Sequence, residues 1–519
     1  MGSVTPSSLA AINAVGIENQ QFAVSSQNVE QKNIIIGTFD ESSFPLLTPN
    51  VPIRVLSSQD VGAKTGFGFM LHRLALAAEK AGKVQTWIIP QEEGGSDPDQ
   101  ATGEIDFSAS TGVLAGTANL YIAGDLVSVA IAASLTADAI GELFQDAIND
   151  NDDLPVTAVN ALGVLAITSK SGGLWGNDIS LVFSLAESDE LPTGMVAAIT
   201  GMSGGVGTPD IQDALDALGT GNAQNEKNFT NLIHGYGNVT AVLDATSTYN
   251  GQGNDLIGNY TEEVARPFRS MIGNTAVGSV GFAAALVFAD LRGESDRTNG
   301  YLQAPGSPNH PQEIAAQATG IAAVTNSKRA AEGYIDKALY GVWPGDMADR
   351  WTNDYSNRDQ AVKGGLATTM SKNGVLLLQN IDTFYRPTSI SVESNGYRKW
   401  QTLSIIQNVL YNFKANFERD YWKGIIIVED AAKVSSLVDR EKVRDSGNVL
   451  DDLFALADSF YGKGWVYNSS YIKENCVVSL RAGLTGWDIK FPFIPSGEGG
   501  ITNSLITFDT SITVLSGGA

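Results

Sequence analysis

At 519 residues the chain is too long for one simple core, and its 43% hydrophobic and 8% aromatic content is that of a folded protein. A formal net charge of -24 argues against direct contact with nucleic acid or with an anionic membrane. The lone cysteine, Cys476, cannot form an internal disulfide, and no apolar run reaches the roughly 18 residues that span a bilayer. We therefore expect a soluble, multidomain protein made in a reducing cytoplasm.

The first 32 residues are too polar to form a core. Within Ile17–Val29, Phe22 and Val24 alternate with other residues at the spacing of a strand. Residues 1–32 are therefore predicted to be an extended N-terminal arm that carries a short strand.

A strand, a helix and a second strand are predicted next. Ile34–Phe39 is a short apolar run typical of a buried strand, and Ser57–Asp60 has the polar side chains that begin helices. Apolar residues at helical spacing continue to Ala81, and Val84–Pro90 is a second buried run. Because such a βαβ unit needs a parallel sheet, residues 33–100 are predicted to begin an α/β domain.

The residue pattern changes between two linkers that contain several glycines, Gln91–Thr102 and Gly201–Asp210. Short alternating segments separated by glycine turns predict strands, and Ala137–Asn149 predicts one helix among them. We therefore expect residues 101–200 to form an inserted, β-rich outer domain, which could be removed without unfolding the rest.

The α/β pattern resumes over residues 201–364. The predicted elements are a helix at Ile211–Leu218, a strand at Asn231–His234, a helix at Thr261–Met271 and an alanine-rich helix at Gln312–Val324.

A C-terminal α+β domain is predicted over residues 365–500. The patterns indicate a hairpin, two helices and two further strand regions, at Leu366–Ile381, Ser394–Tyr421, Leu450–Gly462, Tyr471–Leu480 and Ile489–Ile494.

The last 19 residues, 501–519, read as a half-buried strand offered outward. Alternation places four apolar side chains on one side of this C-terminal arm: Ile506, Phe508, Ile512 and Val514. A glycine-rich tether precedes them, with its hinge at Gly497, Gly499 and Gly500. Such a strand can close its own sheet or pair with an exposed sheet edge of a neighbouring copy.

The residues that usually carry chemistry are scarce. His72, His234 and His310 are far apart in the sequence, and none has a metal-ligand spacing. Gly62–Gly66 lacks the glycine that a phosphate loop needs before its lysine, and no Gly-x-Ser-x-Gly motif is present. We therefore predict no catalytic, metal or cofactor site, and expect the functional sites to be the interfaces formed by Phe22, Val24 and the C-terminal strand.

Several of these stretches, taken together, resemble the contractile tail sheath proteins of myophages, in particular the Mu-like branch. The resemblance is collinear from about Val29 to about Asn326, and it is carried by Asn50–Leu56, Val84–Gln91, Gly172–Ile179, Gly201–Gly219 and Ser307–Ala323. It is carried by the order of these segments and the position of the insertion, and not by any one motif.

The resemblance implies a structural protein without enzyme activity. Sheath subunits stack as hexameric rings around a tail tube, and the lattice contracts to drive the tube through the host envelope for genome ejection. It implies an α/β domain of subtilisin-like type, a C-terminal domain next to the tube, and N- and C-terminal arms that donate strands to neighbours. Implied partners are further copies of the chain, the tail tube protein, and the baseplate and tail terminator proteins, all within the virion.

Three alternatives remain open from the residues. The same subunit could serve a phage-tail-like bacteriocin or another contractile injection particle. An α/β hydrolase with a binding insert would need a Ser-His pair or a cluster of acids in one cleft. A static capsid or adhesin protein would use its terminal strands only to lock neighbours.

Overall fold

The computed structural model describes residues 26–94, 99–186, 189–219, 229–251, 258–260, 266–293, 296–386, 394–435 and 440–499. Within these ranges the chain has the mixed α/β, multidomain architecture with several sheets that the sequence predicts.

The described strands are β1 (Lys32–Thr38), β2 (Ile53–Val55), β3 (Gln85–Gln91), β4 (Gln100–Asp106), β5 (Gly116–Ile122), β6 (Asp125–Ile131), β7 (Val156–Ala161), β8 (Val164–Gly172), β9 (Leu181–Phe183), β10 (Ala198–Ser203), β11 (Asn231–His234), β12 (Arg269–Asn274), β13 (Asn299–Gln303), β14 (Ala367–Lys372), β15 (Val375–Asn380), β16 (Ile426–Ile427), β17 (Val443–Arg444), β18 (Val477–Leu480) and β19 (Trp487–Lys490).

The described α-helices are α1 (Ser58–Thr65), α2 (Met70–Glu79), α3 (Ala137–Asn149), α4 (Ile211–Asp216), α5 (Thr240–Asn250), α6 (Gly278–Arg292), α7 (Pro311–Lys328), α8 (Tyr355–Lys363), α9 (Trp400–Phe417), α10 (Ser446–Gly462) and α11 (Ser469–Asn475).

An eight-stranded sheet forms the centre, in the order β15-β14-β13-β12-β11-β1-β3-β2. β1 pairs in parallel with β3 on one side and β11 on the other, which confirms the predicted strand, helix and strand at the start of the α/β unit. The two edge strands, β2 and β15, are antiparallel to their neighbours. The interior strands read as continuous apolar runs because both of their faces are covered.

Helices cover both faces of this sheet. Met271 and Leu302 pack on one face with α7 and α9, whereas Ile272 and Tyr301 pack on the other with α5 and α6. On the first face α7 lies very close to α2. A side chain added at Gly320 would meet the carbonyl oxygen of Ala78 at 2.3 Å, so glycine at this position permits the close approach.

The segment between the linkers folds as two antiparallel sheets around α3. Their orders are β10-β4-β8-β7 and β6-β5-β9. Phe144 of α3 stacks on Phe107 with ring centroids 5.4 Å apart, and Phe183 of β9 meets Phe144 edge to face at 5.6 Å. The helix is capped as its sequence predicts, since the Thr136 side chain accepts the Ala139 N–H.

A buried ion network joins this β-rich segment to the α/β unit. The Arg73 guanidinium in α2 makes two hydrogen bonds to Glu313 of α7, at 2.7 and 2.8 Å. It also pairs with Asp125 at 2.6 Å and donates to the Asp153 carbonyl oxygen at 3.0 Å. Burial by itself would lower the pKa of Arg73, but the two carboxylates outweigh it and raise that pKa.

A second buried contact joins the same parts of the chain. The His310 ring at the start of α7 stacks on Trp175, with centroids 3.6 Å apart. Together with the Arg73 network, this contact opposes the expectation that residues 101–200 could be removed without affecting the rest.

Several element predictions need correction. Of the predicted helix Thr261–Met271, residues 261–265 lie outside the described residues, and Arg269–Met271 belong to β12. Pro267 explains the error, because proline removes a helical N–H and clashes with the preceding turn. Tyr471–Asn475, predicted as strand, belongs to α11, whose first turn is capped by the Asn468 side chain.

Two further elements are shorter than predicted. The helix expected at Ser394–Tyr421 is α9, which begins at Trp400 and ends at Phe417. The strand expected at Ile489–Ile494 is β19, which begins at Trp487 and ends at Lys490.

Candidate assembly interface

Most of the predicted interface lies outside the described residues. This applies to Phe22, Val24, Ile506, Phe508, Ile512 and Val514, and to the tether glycine Gly500. Their pairing therefore stays a prediction. The structure does describe where the two terminal segments join the folded part, at Ser26 and at Gly499.

The N-terminal segment Ser26–Val29 is bound by side chains of α9 and, at Ser26, of α10. The Gln27 main chain makes two hydrogen bonds to the Asn412 side chain of α9, its N–H donating at 2.8 Å and its carbonyl oxygen accepting at 2.8 Å. The Ser26 N–H points the other way and donates to Ser459 of α10, also at 2.8 Å. The Ser26 main chain thus contacts α10, whereas the Gln27 main chain contacts α9.

Asparagines on α9 take the place of a neighbouring strand. The Asn408 side chain accepts the Val29 N–H at 2.8 Å, one turn before Asn412. The sequence reasoning missed these residues. The signal was available, because Ser404, Asn408, Asn412 and Asn416 recur every four residues in α9 and therefore share one face.

The C-terminal segment is held by Glu498. Its carboxylate accepts the Tyr334 N–H at 2.8 Å and pairs with Lys399 at 3.3 Å, and its side chain is only 7% exposed. A side chain added at Gly497 or Gly499 would meet no atom within 4 Å. The Ser496 N–H donates to the Trp465 carbonyl oxygen at 2.9 Å, so Gly497 of the predicted tether lies between two held residues, Ser496 and Glu498.

The two terminal segments leave from opposite parts of α9. Lys399 directly precedes the helix, whereas Asn412 is 13 residues further on. At 1.5 Å per residue these positions are about 20 Å apart along the helix axis. The two described terminal segments are therefore held at separate points along one helix.

A small sheet with free edges lies beside the end of α9. β18 and β19 form an antiparallel pair that has no further strand within the described residues. Val478, Trp487 and Ile489 pack on the buried Trp422 and Leu453, while the alternate residues face outward. Because the Arg481 N–H bonds to Gly486 across the hairpin, alternation directs the Val478 and Ile489 N–H groups to the outer edges.

A cleft of about 360 Å³ lies at the carboxyl ends of β11, β12 and β13. It is the place where open α/β sheets usually bind ligands. Its lining contains one carboxyl group, that of Asp178, whose pKa is raised by burial, and neither a serine nor a histidine. This cleft therefore gives no support to the hydrolase alternative.

Two further kinds of feature can be considered for the described residues, a membrane span and a metal centre. Among the helices in these ranges, none has both the length and the hydropathy that a membrane span requires. No group of three His, Cys, Asp or Glu side chains in the same ranges is placed to hold a metal ion.

Comparison with known proteins identifies one curated relative. No protein-family model matches the chain. A Mu-like prophage FluMu tail sheath protein of Haemophilus influenzae is 24% identical over 343 residues, which are 65% of this chain and 65% of that protein. The match thus spans just under two thirds of the relative's length.

Solved sheath structures align at low identity. A sheath tail protein of Desulfitobacterium hafniense is 12% identical, over 94% of this chain and 97% of that one, with a TM-score of 0.46. The sheath of an extracellular contractile injection system, PVC, in the contracted state is 9% identical, over 97% and 99%, with a TM-score of 0.48. The resemblance to Mu-like tail sheath proteins, predicted from this chain's own residues, is confirmed by the curated relative.

Proposed function

We propose that this chain is the subunit of a contractile tail sheath, which polymerises as stacked hexameric rings around a tail tube and contracts to drive the tube through a host envelope. The tail tube, baseplate and terminator proteins would be its partners, and the virion its location. The observation that carries the proposal is the similarity to a Mu-like tail sheath protein over 343 residues.

Strand exchange would hold the lattice together. The outer edges of β18 and β19 offer main-chain groups, and each arm carries apolar residues at a spacing of two. An added strand could satisfy those groups and cover the half-buried Val478 and Ile489 from the side. A two-stranded sheet is marginal by itself, so added strands would stabilise it.

Lattice contacts also need apolar area, because subunits with a net charge of -24 repel one another. Helix α6 supplies such area. Val280, Val287 and Leu291 lie along one side of it and are 81%, 60% and 80% exposed. We assign this row to contact with a second copy of the chain, since an exposed apolar row of this kind is typical of interaction surfaces.

The proposal is tested by electron microscopy of the purified chain. The full-length protein should form long striated tubes. Deleting residues 501–519 should leave folded subunits that form no tubes, because the C-terminal strand is lost.

A matched pair of variants separates strand pairing from mere loss of chain. Phe508→Lys should abolish tubes, whereas Thr507→Lys, on the opposite face of the predicted strand, should permit them. Normal tubes from the truncated chain, or equal behaviour of the two lysine variants, would contradict the proposal.

A further inference from the structure

Helix α6 carries a carboxylate at one end of its exposed apolar row. The α6 row consists of Val280, Val287 and Leu291, which span about 16 Å of the helix. Asp290 is three residues after Val287 and therefore borders the row. Its side chain is 81% exposed, and Arg386 of the same subunit bonds to its Oδ1 atom at 3.2 Å. A carboxylate so exposed can accept a second cation.

A complementary group of side chains lies at the β2 edge of the eight-stranded sheet. This edge patch consists of Val51, Arg54 and Leu56, in and beside β2. Val51 and Leu56 are 44% and 79% exposed, and they are separated by at most about 17 Å of extended chain, which is close to the length of the α6 row. Arg54 is exposed and makes no ion pair within the described ranges. Arginine flanked by apolar side chains is typical of protein interfaces.

The two patches lie on one face of the sheet but are too far apart to meet within a subunit. Registered pairs lead from Arg54 across β3, β1 and β11 to β12, so Arg54 points to the same face as Ile272, on which α6 packs. Four strand spacings, or about 19 Å, separate β2 from β12. A contact between the patches therefore needs two copies, and in it α6 of one copy would extend the helical layer over β2 of the other.

We infer that the α6 row of one copy binds the edge patch of a second copy, with Asp290 paired to Arg54. The inference rests on the proposed assembly from copies of this chain, and it names the surface that meets the α6 row. Charge complementarity selects this partner, since Arg54 offers a cation and Asp290 a carboxylate, whereas acidic surfaces of two copies repel each other. Because the two patches differ, the contact is head-to-tail and can repeat without closing.

Cysteine crosslinking of the full chain tests this contact. Cys476→Ala removes the native thiol, and one cysteine is then placed in each patch, by Leu56→Cys in one population and by Val287→Cys in another. A short bismaleimide should form a dimer only when the two populations are mixed. The chain that carries both substitutions should give a ladder of longer oligomers, because every copy then has both sides of the contact.

Matched controls separate the contact from random collision and from a general effect of charge. Val159→Cys, at a side chain that is 64% exposed outside both patches, should give no dimer with Leu56→Cys. Arg54→Asp in the Leu56→Cys chain should reduce the mixed dimer about tenfold, and Asp290→Arg in the Val287→Cys chain should restore it, because the two charges are exchanged. Lys372→Asp, at another exposed cation, makes the same change of charge and should leave the yield unchanged.

Three results would overturn the inference. These are absence of the mixed dimer, a dimer from Val287→Cys alone, which would mean that two α6 rows meet, and an equal yield with Arg54→Asp and with Lys372→Asp. Electron microscopy of the same samples keeps the two proposals apart. Tubes without the mixed dimer would leave the sheath function standing and remove this contact, whereas a mixed dimer without tubes would do the reverse.

Discussion

An asparagine on a helix can imitate the edge of a strand. Its side chain carries an acceptor and a donor about as far apart as the N–H and C=O of one residue in an extended chain. Asn412 uses both atoms on Gln27, and Nδ2 also donates to the Asn408 carbonyl oxygen at 2.8 Å, which fixes the side chain against its own helix. Asn408 and Asn412 therefore bind the main chain of the N-terminal segment and depend little on its side chains.

The three histidines are held as neutral rings. In each of them Nδ1 accepts a main-chain N–H, at 3.0 Å from Gly68 for His72, 3.3 Å from Tyr236 for His234 and 3.2 Å from Gln312 for His310. Burial lowers the pKa of each ring from 6.5 to about 4. A proton on Nδ1 would replace an accepted hydrogen bond with a repulsion.

These pKa values predict how stability depends on pH. Between pH 6.5 and about 4 the unfolded histidines bind protons that the folded ones do not, so the free energy of unfolding falls as the pH is lowered through this range. Each histidine contributes a slope of about 1.4 kcal/mol per pH unit. The Asp382 carboxyl opposes the contribution of one histidine. Burial raises its pKa from 3.8 to about 6, so in this range the folded protein binds a proton that the unfolded chain does not.

His310→Asn isolates one of these contributions, since asparagine can still accept the Gln312 N–H. Denaturant unfolding at several pH values should show a slope that is shallower by about 1.4 kcal/mol per pH unit. Loss of the stacking contact with Trp175 changes the free energy of unfolding by the same amount at every pH and leaves the slope unchanged. An unchanged slope would refute the linkage.

At the scale of elements, the outer edge of β18 can be blocked without removing the strand. Val478→Pro deletes the outward N–H, whereas the residues that bond to β19 keep theirs. If strand addition at this edge holds the lattice, the variant should fold, as judged by circular dichroism, and form no tubes under electron microscopy.

Val478→Ala is the matched control for that experiment. It removes more apolar volume than the proline variant and retains the N–H, so persistence of its tubes would show that lost packing is not the cause. Tubes from the proline variant would show that no strand binds there.

Local patterns predicted some elements well. The hairpin β14–β15 follows from Asn373 and Gly374, whose φ angles of 52° and 75° are those of a tight turn between two strands. Its place was not predictable. It pairs with β13, Leu302 to Ala367, in the eight-stranded sheet, and no pattern within either strand encodes a partner so distant in sequence.

The sequence predicted that the candidate site is an interface, but not which residues hold the terminal segments. Alternating residues in the two arms indicate strands, but the side chains that hold Ser26, Gln27 and Val29 belong to α9 and α10, which are far along the chain. Glu498 read as part of a loose glycine tether, whereas its carboxylate is buried against Tyr334 and Lys399. Such anchors depend on tertiary contacts that composition does not reveal.

At the scale of the molecule, Arg73 connects three parts of the chain. It contacts α7 through Glu313 and the β-rich segment through Asp125 and the Asp153 carbonyl oxygen. Removing one member of a buried ion pair leaves the other uncompensated. Arg73→Met should therefore lower the free energy of unfolding by about 3–5 kcal/mol, measured by denaturant titration.

Two further variants test the origin of that loss. Arg73→Met combined with Glu313→Leu should recover much of the stability, since the buried Glu313 charge is removed with its partner, and Asp125, which is 35% exposed, still contacts water. Lys363→Met, which breaks an exposed pair with Asp359, should cost far less stability than Arg73→Met. If Arg73→Met lowered the free energy of unfolding no more than Lys363→Met does, the network would not couple the α/β unit to the β-rich segment.

The placement of both terminal segments on α9 has a mechanical consequence. In a polymer linked by arms, tension on one arm enters the subunit near Asn412 and can leave near Lys399 through the backbone hydrogen bonds of a single helix. In such a polymer the load would reach the anchors on α9 before it reached β1, which begins at Lys32. Subunits could then be pulled past one another while their central domains stay unstrained, and a break under load would occur first at the side-chain anchors.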